Sequence, residues 1–421
     1  MKTDIRQAPS RIKRFWKTLG PGLVTGASDD DPSGIATYSQ AGAQFGLMLL
    51  WTAAFTYPMM VVVQEMCARI GIVTKQGLTA TIKQHYPRPM LWLIIALSFP
   101  AITLNIGADI AGMGAVGNLL IPQVPSWIFS VVSTAVLMYT IISFSYRRIA
   151  SVLKWLCLTL LSYILIPFLV DTDWALVLQK AVVPSIQFDR AFLLVLVGIL
   201  GTTISPYLFF WQTSMEVEEG AGRNLVVDKV VITEMNTDVR GGMFFTTVVF
   251  FFIILTSGTV LHSAGILNIT TVEDAAKSLR PLAGEMSYAL FAIGVIGTGF
   301  LAIPVLAGAL SYMVAETFGW KEGLNKKFTQ APGFYLTMIA SLIIGLMIDV
   351  TNVSPITALI YTAVLYGVTA PVLIALVMHV CNRRSIMGAF TNSLTTNVMG
   401  AITLIVMIAA AILFIGLWVM E

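Results

Sequence analysis

Residues 27–34 read "ASDDDPSG", and this acidic run interrupts an apolar segment near the start of the chain. The stretch "GPGLVTG" (20–26) precedes it, and a long apolar run beginning "FGLMLLW" (45–51) follows. A carboxylate within a membrane is costly unless it is paired or faces a wet cavity, so such aspartates are functional candidates. Pro32 removes a backbone donor and clashes with the preceding turn. We therefore predict an unwound helix that carries charged side chains.

The composition is that of a protein embedded in a membrane. Of its 421 residues, 57% are hydrophobic and 11% are charged, whereas soluble domains carry about 25% charged residues. Its apolar runs are continuous, which favours spanning helices over the short alternating strands of a barrel. The sequence has no P-loop, His-rich cluster or Ser-His constellation. We expect an all-α polytopic membrane protein with the bilayer as a partner, and neither an enzyme nor a nucleic-acid binder.

Eleven apolar segments are candidate membrane spans. They cover residues 18–44, 45–73, 90–120, 126–144, 148–170, 189–218, 241–261, 284–318, 333–350, 354–381 and 394–419. With the N-terminus inside, 21 of the 25 Lys and Arg residues fall in inner loops; the four exceptions are Lys180, Arg190, Lys277 and Arg280. Because basic residues concentrate in cytoplasmic loops, we expect a multi-pass protein of the cell (plasma or inner) membrane with a cytoplasmic N-terminus.

A second segment is interrupted in the same manner as the first. The sixth contains "GTTISPY" (201–207), which again combines Gly, polar or β-branched residues and Pro. Paired breaks at corresponding positions of two inverted halves indicate a substrate site at the bilayer midplane, as in LeuT-like transporters. The predicted fold is a 5+5 inverted repeat with an additional eleventh helix, and with helices 1 and 6 unwound. The predicted divisions are a cytoplasmic segment (1–17), the first repeat (18–170), the second repeat (189–381) and helix 11 (394–419).

The residues at the two breaks indicate a cation site built from oxygen atoms. Asp31 precedes Pro32, which biases it away from helical geometry and into the unwound stretch. The second break contributes the Thr202 and Ser205 hydroxyls and the carbonyls of Gly201 and Thr202. Hard cations prefer such ligands. The three aspartates cannot all have one role, and we expect Asp29 and Asp30 either to line a vestibule that attracts cations or to form a solvated polar face.

Three stretches of the chain resemble the Nramp family of divalent-metal transporters. "GPGLVTGASDDDPSGIAT" (20–37) is similar to the first helix of that family, whose pattern is GPG…DPGN. "VVVQEMCARIGIVTKQGL" (61–78) resembles the second helix and its loop, and "GILGTTISPYLFFWQ" (198–212) resembles the sixth helix, which reads G-A-T-V-M-P-H. The order and spacing of these matches cover nearly the whole chain. The resemblance implies a transporter of metal cations with Asp31 as a ligand.

The departures from the family pattern fall on the implied metal ligands. Among these, only Asp31 carries over as a side chain. The Asn of the motif corresponds to Gly34, and the metal-binding Met corresponds to Ser205. The carbonyl-donating Ala corresponds to Thr202, and the tenth-helix glutamine has Ala363 as its nearest counterpart.

Two further departures concern residues that the resemblance associates with proton transfer. The His beside the motif proline is replaced by Tyr207. In the third helix "ADIAG" matches the family's D-L-A-E, so that Asp109 is kept and the Glu is replaced by Gly112. Asp109 is therefore a candidate either for a proton relay or for a second contact with the cation, or for a buried structural carboxylate.

These changes predict a larger and harder site. Loss of a thioether removes the preference for soft or borderline transition metals, and replacing Asn by Gly removes a side chain. Mg²⁺ dehydrates reluctantly and keeps several waters. The chain thus resembles the Nramp-related magnesium transporters, and we expect import of Mg²⁺, or Mn²⁺, by alternating access without proton coupling. We expect the protein to be a monomer and to need no cofactor. The alternative is a Na⁺- or H⁺-coupled carrier of a small organic solute.

Overall fold

A computed structural model describes residues 20–144, 158–221, 227–349 and 354–419. The predicted cytoplasmic segment (1–17) and the first part of the fifth predicted span lie outside these ranges. Within them the chain is helical and contains no β-strand. This confirms the all-α class predicted from the composition.

The principal helices are numbered in chain order. They are α1 (Pro21–Asp29), α2 (Pro32–Phe45), α3 (Trp51–Thr74), α4 (Leu78–His85), α5 (Arg88–Leu120), α6 (Ser126–Ser143), α7 (Trp174–Val182), α8 (Arg190–Thr203), α9 (Pro206–Ala221), α10 (Lys229–Ser257), α11 (Ser287–Phe318), α12 (Pro332–Asp349), α13 (Pro355–Asn382) and α14 (Leu394–Val419). Short helical turns occupy 158–168 and 272–286, and a π-helical turn at Gly258–His262 extends α10.

The helices follow the apolar segments of the sequence closely. In the described part of the chain, seven helical spans are long and apolar enough to cross a membrane, and Pro332–Ile348 forms a shorter apolar helix. The protein is therefore a multi-pass membrane protein. The division into two inverted repeats and an eleventh helix stays a prediction.

Both predicted helix breaks occur, and the ψ angles at the two helix ends are nearly equal. Asp30 ends α1 with φ −82° and ψ 56°, and Ile204 ends α8 with φ −118° and ψ 57°. In each case one residue follows, Asp31 or Ser205, and a proline then begins the next helix. Proline suits a first helical position because its missing N–H would be unpaired there in any case. The sequence order D-P and S-P therefore specifies where each second half-helix begins.

Glycine allows the first broken helix to lie directly against its neighbour. A Cβ atom built at Gly26 would lie 2.2 Å from the carbonyl oxygen of Gly242 in α10, and one at Gly242 would lie 2.0 Å from that of Gly22. Small residues permit such close approach of backbones between membrane helices. The contact positions α1, and with it the acidic run, against α10.

Helix α5 brings a third element to the breaks. It packs against α11, α12 and α13 and also contacts α2. Its buried face includes Asn105 and Asp109, which lie one helical turn apart. The tertiary packing therefore adds an amide and a carboxylate from α5 to the groups at the helix breaks.

Candidate cation site

Asp31 lies at the centre of the candidate site and connects α2 with α5. It is the N-cap of α2, and its Oδ1 accepts a hydrogen bond from the Gly34 backbone N–H at 2.7 Å. Its Oδ2 accepts one from Asn105 Nδ2 at 3.0 Å. The residue is only 2% exposed. A carboxylate held by two donors on different elements has a fixed orientation, which a metal ligand requires.

The second break faces the first through Thr202. A Cβ atom at Gly34 would lie 3.3 Å from Thr202 Oγ1, so these two predicted site residues are adjacent. Ser205 is buried and follows Thr202 by three residues. Its hydroxyl donates to the backbone carbonyl oxygen of Thr202 at 2.7 Å, and the carbonyl oxygen of Gly201 lies 3.1 Å away. Ser205 therefore provides a hydrogen-bond donor for the carbonyl groups at the end of α8 in this conformation.

The expectation that Gly34 enlarges the site stays a prediction, and in this conformation the glycine has close neighbours. A Cβ atom at Gly34 would also lie 3.2 Å from Tyr38 Cε2. Side-chain atoms of Tyr38 and Thr202 thus occupy the space beside the glycine. The sequence places Tyr38 on the same helix face as Gly34, one turn further along α2, but it does not show which way the ring turns.

Asp109 is buried, and its carboxylate oxygens make no hydrogen bond of normal geometry with the described residues, although the Ser33 backbone interacts with them. It interacts electrostatically with Asp31, which places the two carboxylates in one neighbourhood. The Oδ1 of Asn105, the residue between them, also lacks a partner in the described part of the chain. Buried polar atoms normally have partners, so these oxygens are available to a cation or its water shell.

Tyr207, at the position where the family has His, connects the two broken helices. Its hydroxyl donates to the carbonyl oxygen of Ser28, in the last turn of α1, at 3.1 Å. That carbonyl belongs to a helix end, where the last four C=O groups have no partner within the helix. Tyr207 therefore acts in this structure as a side-chain cap on the first half-helix.

We expect Tyr207→Phe to lower the stability of the protein modestly. The change removes one hydrogen bond and leaves the ring in place, at a cost of about 1 kcal/mol. Thermal unfolding in detergent would measure it, with Tyr361→Phe, whose side chain is exposed on α13, as the control. Equal melting temperatures for the two variants would show that the Tyr207 hydroxyl does not hold the half-helices together.

Asp29 and Asp30 were expected to line a vestibule, and in this conformation they do not. They are 0% and 1% exposed, respectively. Both face Thr246 of α10, whose hydroxyl lies 2.9 Å from Asp30 Oδ1 and 3.3 Å from Asp29 Oδ2. Close packing of α1 on α10 removes them from solvent, which the linear sequence could not indicate.

Gly201 and Ala363, predicted near the site, lie where α8 crosses α13. A Cβ atom at Gly201 would be 2.0 Å from the carbonyl oxygen of Ala363 and 2.3 Å from the N of Gly367. The two residues thus form a close backbone contact between helices, and the Ala363 side chain is a methyl group without ligand atoms. This contact packs the end of α8, next to the second break, against α13.

Three residues at the site were not predicted as part of it. Asn105 could have been found, since it lies four residues before Asp109 and therefore on the same helix face. Thr246 belongs to the Phe-rich stretch "FFTTVVFFFII" (244–254), where the apolar neighbours suggest packing alone. Tyr38 carries no sequence signal beyond its place one turn after Gly34.

The described residues contain no group of three or more His, Cys, Asp or Glu with the arrangement of a metal site. The candidate site instead combines carboxylate, amide, hydroxyl and carbonyl oxygens from α2, α5 and the α8–α9 break, with Asp31 as its central charge. An oxygen set with few charged ligands suits a hard cation that retains part of its water shell.

Comparisons with known proteins agree with this architecture. Residues 22–417 match the family described as natural resistance-associated macrophage protein-like, or Nramp. A divalent metal cation transporter MntH of Granulibacter bethesdensis is 24% identical over 411 residues, which cover 94% of this chain and 88% of that protein.

Solved structures share the fold. The Eremococcus coleocola manganese transporter, in complex with an aromatic bis-isothiourea compound, superposes with a TM-score of 0.77 at 18% identity over 97% of this chain and 88% of its own. Mhp1, a nucleobase-cation-symport-1 family transporter in a closed conformation, gives a TM-score of 0.57 at 14% identity over 95% and 91% of the two chains. The fold is thus LeuT-like. With its family match extending over nearly all of its length, the chain belongs to the Nramp family.

Proposed function

We propose that this protein imports divalent metal cations across the cell membrane by alternating access, with its N-terminus in the cytoplasm and Asp31 as the charged ligand. The family and the MntH relative are transporters, and the latter is named for divalent metal cations. The observation that carries the proposal is the buried Asp31 carboxylate, held by Gly34 and Asn105 among oxygen donors at the paired helix breaks. No cofactor is required, because the cation is the substrate.

Magnesium is the preferred substrate in this proposal. Ser205 replaces the thioether with a hydroxyl, and sulfur is the donor that favours softer transition metals. The remaining ligand atoms are oxygens, which Mg²⁺ prefers. Few of them are charged, which suits an ion that keeps several waters. Opening of the site would have to move Tyr38 or Thr202 away from Gly34 to admit a partly hydrated ion.

Import in this proposal needs no proton coupling. Tyr207 replaces His, and a phenol does not change its protonation state near neutral pH as an imidazole does. Its hydroxyl is also engaged with the Ser28 carbonyl. The membrane potential contributes about 2.3 kcal/mol per charge per 100 mV, or roughly 4.6 kcal/mol for a dication, which drives entry.

Flux into liposomes tests the proposal. The purified protein is reconstituted with a Mg²⁺-sensitive dye inside, in parallel with Mn²⁺ and pH dyes, under an inside-negative potential. We expect Mg²⁺ entry, competition by Mn²⁺ and no acidification. Acidification that accompanies flux would overturn the uncoupled mechanism. The lack of flux of any dication would overturn the substrate class and favour the organic-solute carrier.

We expect Ser205→Met to shift selectivity towards softer metals. A thioether at the α8–α9 break adds the donor that Cd²⁺ favours and Mg²⁺ does not. Inhibition of Mg²⁺ flux by Cd²⁺ should strengthen by about tenfold. Ser205→Leu, of similar size and without sulfur, is the control. If Leu and Met change Cd²⁺ inhibition equally, position 205 does not contact the cation.

A further inference from the structure

We propose that Asp29, Asp30 and Thr246 form a second dication site beside the one at Asp31; the inference rests on the proposed function for the identity of the ion. The two aspartates are the last residue of α1 and the residue that caps its end. Thr246 faces them from α10. The site would therefore lie between α1 and α10, on the opposite side of the helix break from the α2 end that Asp31 caps.

The first observation is that the two carboxylates lack sufficient hydrogen-bond donors. Asp29 Oδ1 and Asp30 Oδ2 are buried and have no hydrogen-bond partner among the described residues. Their other oxygens share the single hydroxyl of Thr246, which carries one proton and can donate fully to only one of them. Burial without donors is costly for any carboxylate and more so for two adjacent ones.

The second observation is that no cationic side chain among the described residues forms an ion pair with either aspartate. In the described part of the chain, the ion pairs involve Glu65, Asp274 and Glu285, and neither Asp29 nor Asp30. The charges acting on Asp29 come from Asp30 and Asp31, which repel it. A bound dication balances two carboxylates, whereas a monovalent ion leaves one charge unpaired in a low-dielectric environment.

The third observation concerns the helix end and the tyrosine beside it. The C-terminal end of α1 carries the negative pole of the helix, which attracts a cation. The buried Tyr38 hydroxyl makes no hydrogen bond of normal geometry with the described residues; it interacts with Thr202 and, electrostatically, with Asp29 and Asp30. It is a neutral oxygen that can contact the ion or one of its waters.

The chemistry of this set selects a hard ion. It comprises two carboxylates, a hydroxyl and a phenol, with no sulfur or imidazole, and Mg²⁺ is commonly held by one or two carboxylates together with waters. Asp29, Asp30, Asp31 and Asp109 are four carboxyl groups in one buried region, and when all four are ionised their charge balances that of two dications. The second site gives the ion a position to occupy after it leaves Asp31.

Binding of Mn²⁺ to the purified full-length protein tests the site without relying on transport. Free Mn²⁺ is measured by electron paramagnetic resonance in Asp31→Asn, in the triple variant that adds Asp29→Asn and Asp30→Asn, and in a control that instead adds Asp189→Asn, an exposed helix cap. We expect Asp31→Asn and the control to retain one saturable Mn²⁺, and the triple variant to lose it. Adding Thr246→Val to Asp31→Asn should weaken it by about tenfold, because Thr246 orients the carboxylates.

A thermal measurement keeps the proposal testable if a variant folds poorly. Ligands that bind only the folded state raise its stability, so Mn²⁺ should raise the melting temperature of Asp31→Asn but not that of the triple variant. Asp31→Asn without Mn²⁺ binding, or a triple variant that still binds it, would overturn the site. If liposomes show no dication flux while the binding contrast holds, the proposed function fails and the site remains. If flux is seen and the binding contrast is absent, the second site fails and the proposed function remains.

Discussion

Asp31→Asn is expected to reduce dication flux by at least about 100-fold, equivalent to roughly 2.7 kcal/mol. Asn has nearly the same volume, and its oxygen can still accept the Gly34 N–H. It removes the charge, however, and it turns an N–H group towards the Asn105 amide, which is also a donor at this contact. The variant therefore loses both the main attraction for the ion and the hydrogen bond to α5.

Initial rates of Mg²⁺ and Mn²⁺ entry into liposomes, at matched protein incorporation, measure this effect. Asp189→Asn is the control, because it removes an exposed aspartate that caps the end of α8 opposite to its helix break. Asp31→Glu keeps the charge but displaces the carboxylate by one methylene, and should retain only part of the flux. An Asp31→Asn protein that transports at the control rate would remove Asp31 from the site.

Gly242→Ala is expected to destabilise the protein by about 3 kcal/mol or more, since overpacking against backbone costs more than overpacking against a mobile side chain. The added Cβ would lie 2.0 Å from the carbonyl oxygen of Gly22, so α1 must move away from α10. That shift displaces Asp29 and Asp30 from Thr246. We therefore expect a lower melting temperature together with loss of flux.

The neighbouring residue provides a matched control. A Cβ atom at Gly241 would meet nothing within 4 Å. Alanine is favoured over glycine in a helix by about 0.5–1 kcal/mol, so Gly241→Ala should be neutral or stabilising. The opposite signs expected for adjacent, chemically identical substitutions isolate the helix contact as the cause. Equal melting temperatures for the two variants would contradict the close crossing of α1 and α10.

Much of the fold follows from local features of the sequence. Long apolar runs specify the spanning helices, because a backbone in lipid must satisfy its hydrogen bonds within each segment. Asp31 followed by Pro32, and Ser205 followed by Pro206, specify the breaks through the geometry of proline itself. The candidate ligand Asp31 follows from the same stretch, since a carboxylate in an apolar segment needs a function or a partner.

The tertiary structure decided what surrounds those breaks. Asn105 reaches Asp31 only because α5 packs against α2, and Thr246 reaches Asp29 and Asp30 only because glycines allow α10 to approach α1. The loss of the Asn side chain at Gly34 predicts open space, yet Tyr38 lies against this glycine. Side-chain periodicity reveals which residues share a helix face, whereas contacts between distant helices depend on packing that no local pattern encodes. The "DDDP" run thus indicated a cation site, and the packing around it separated Asp31 from its two acidic neighbours.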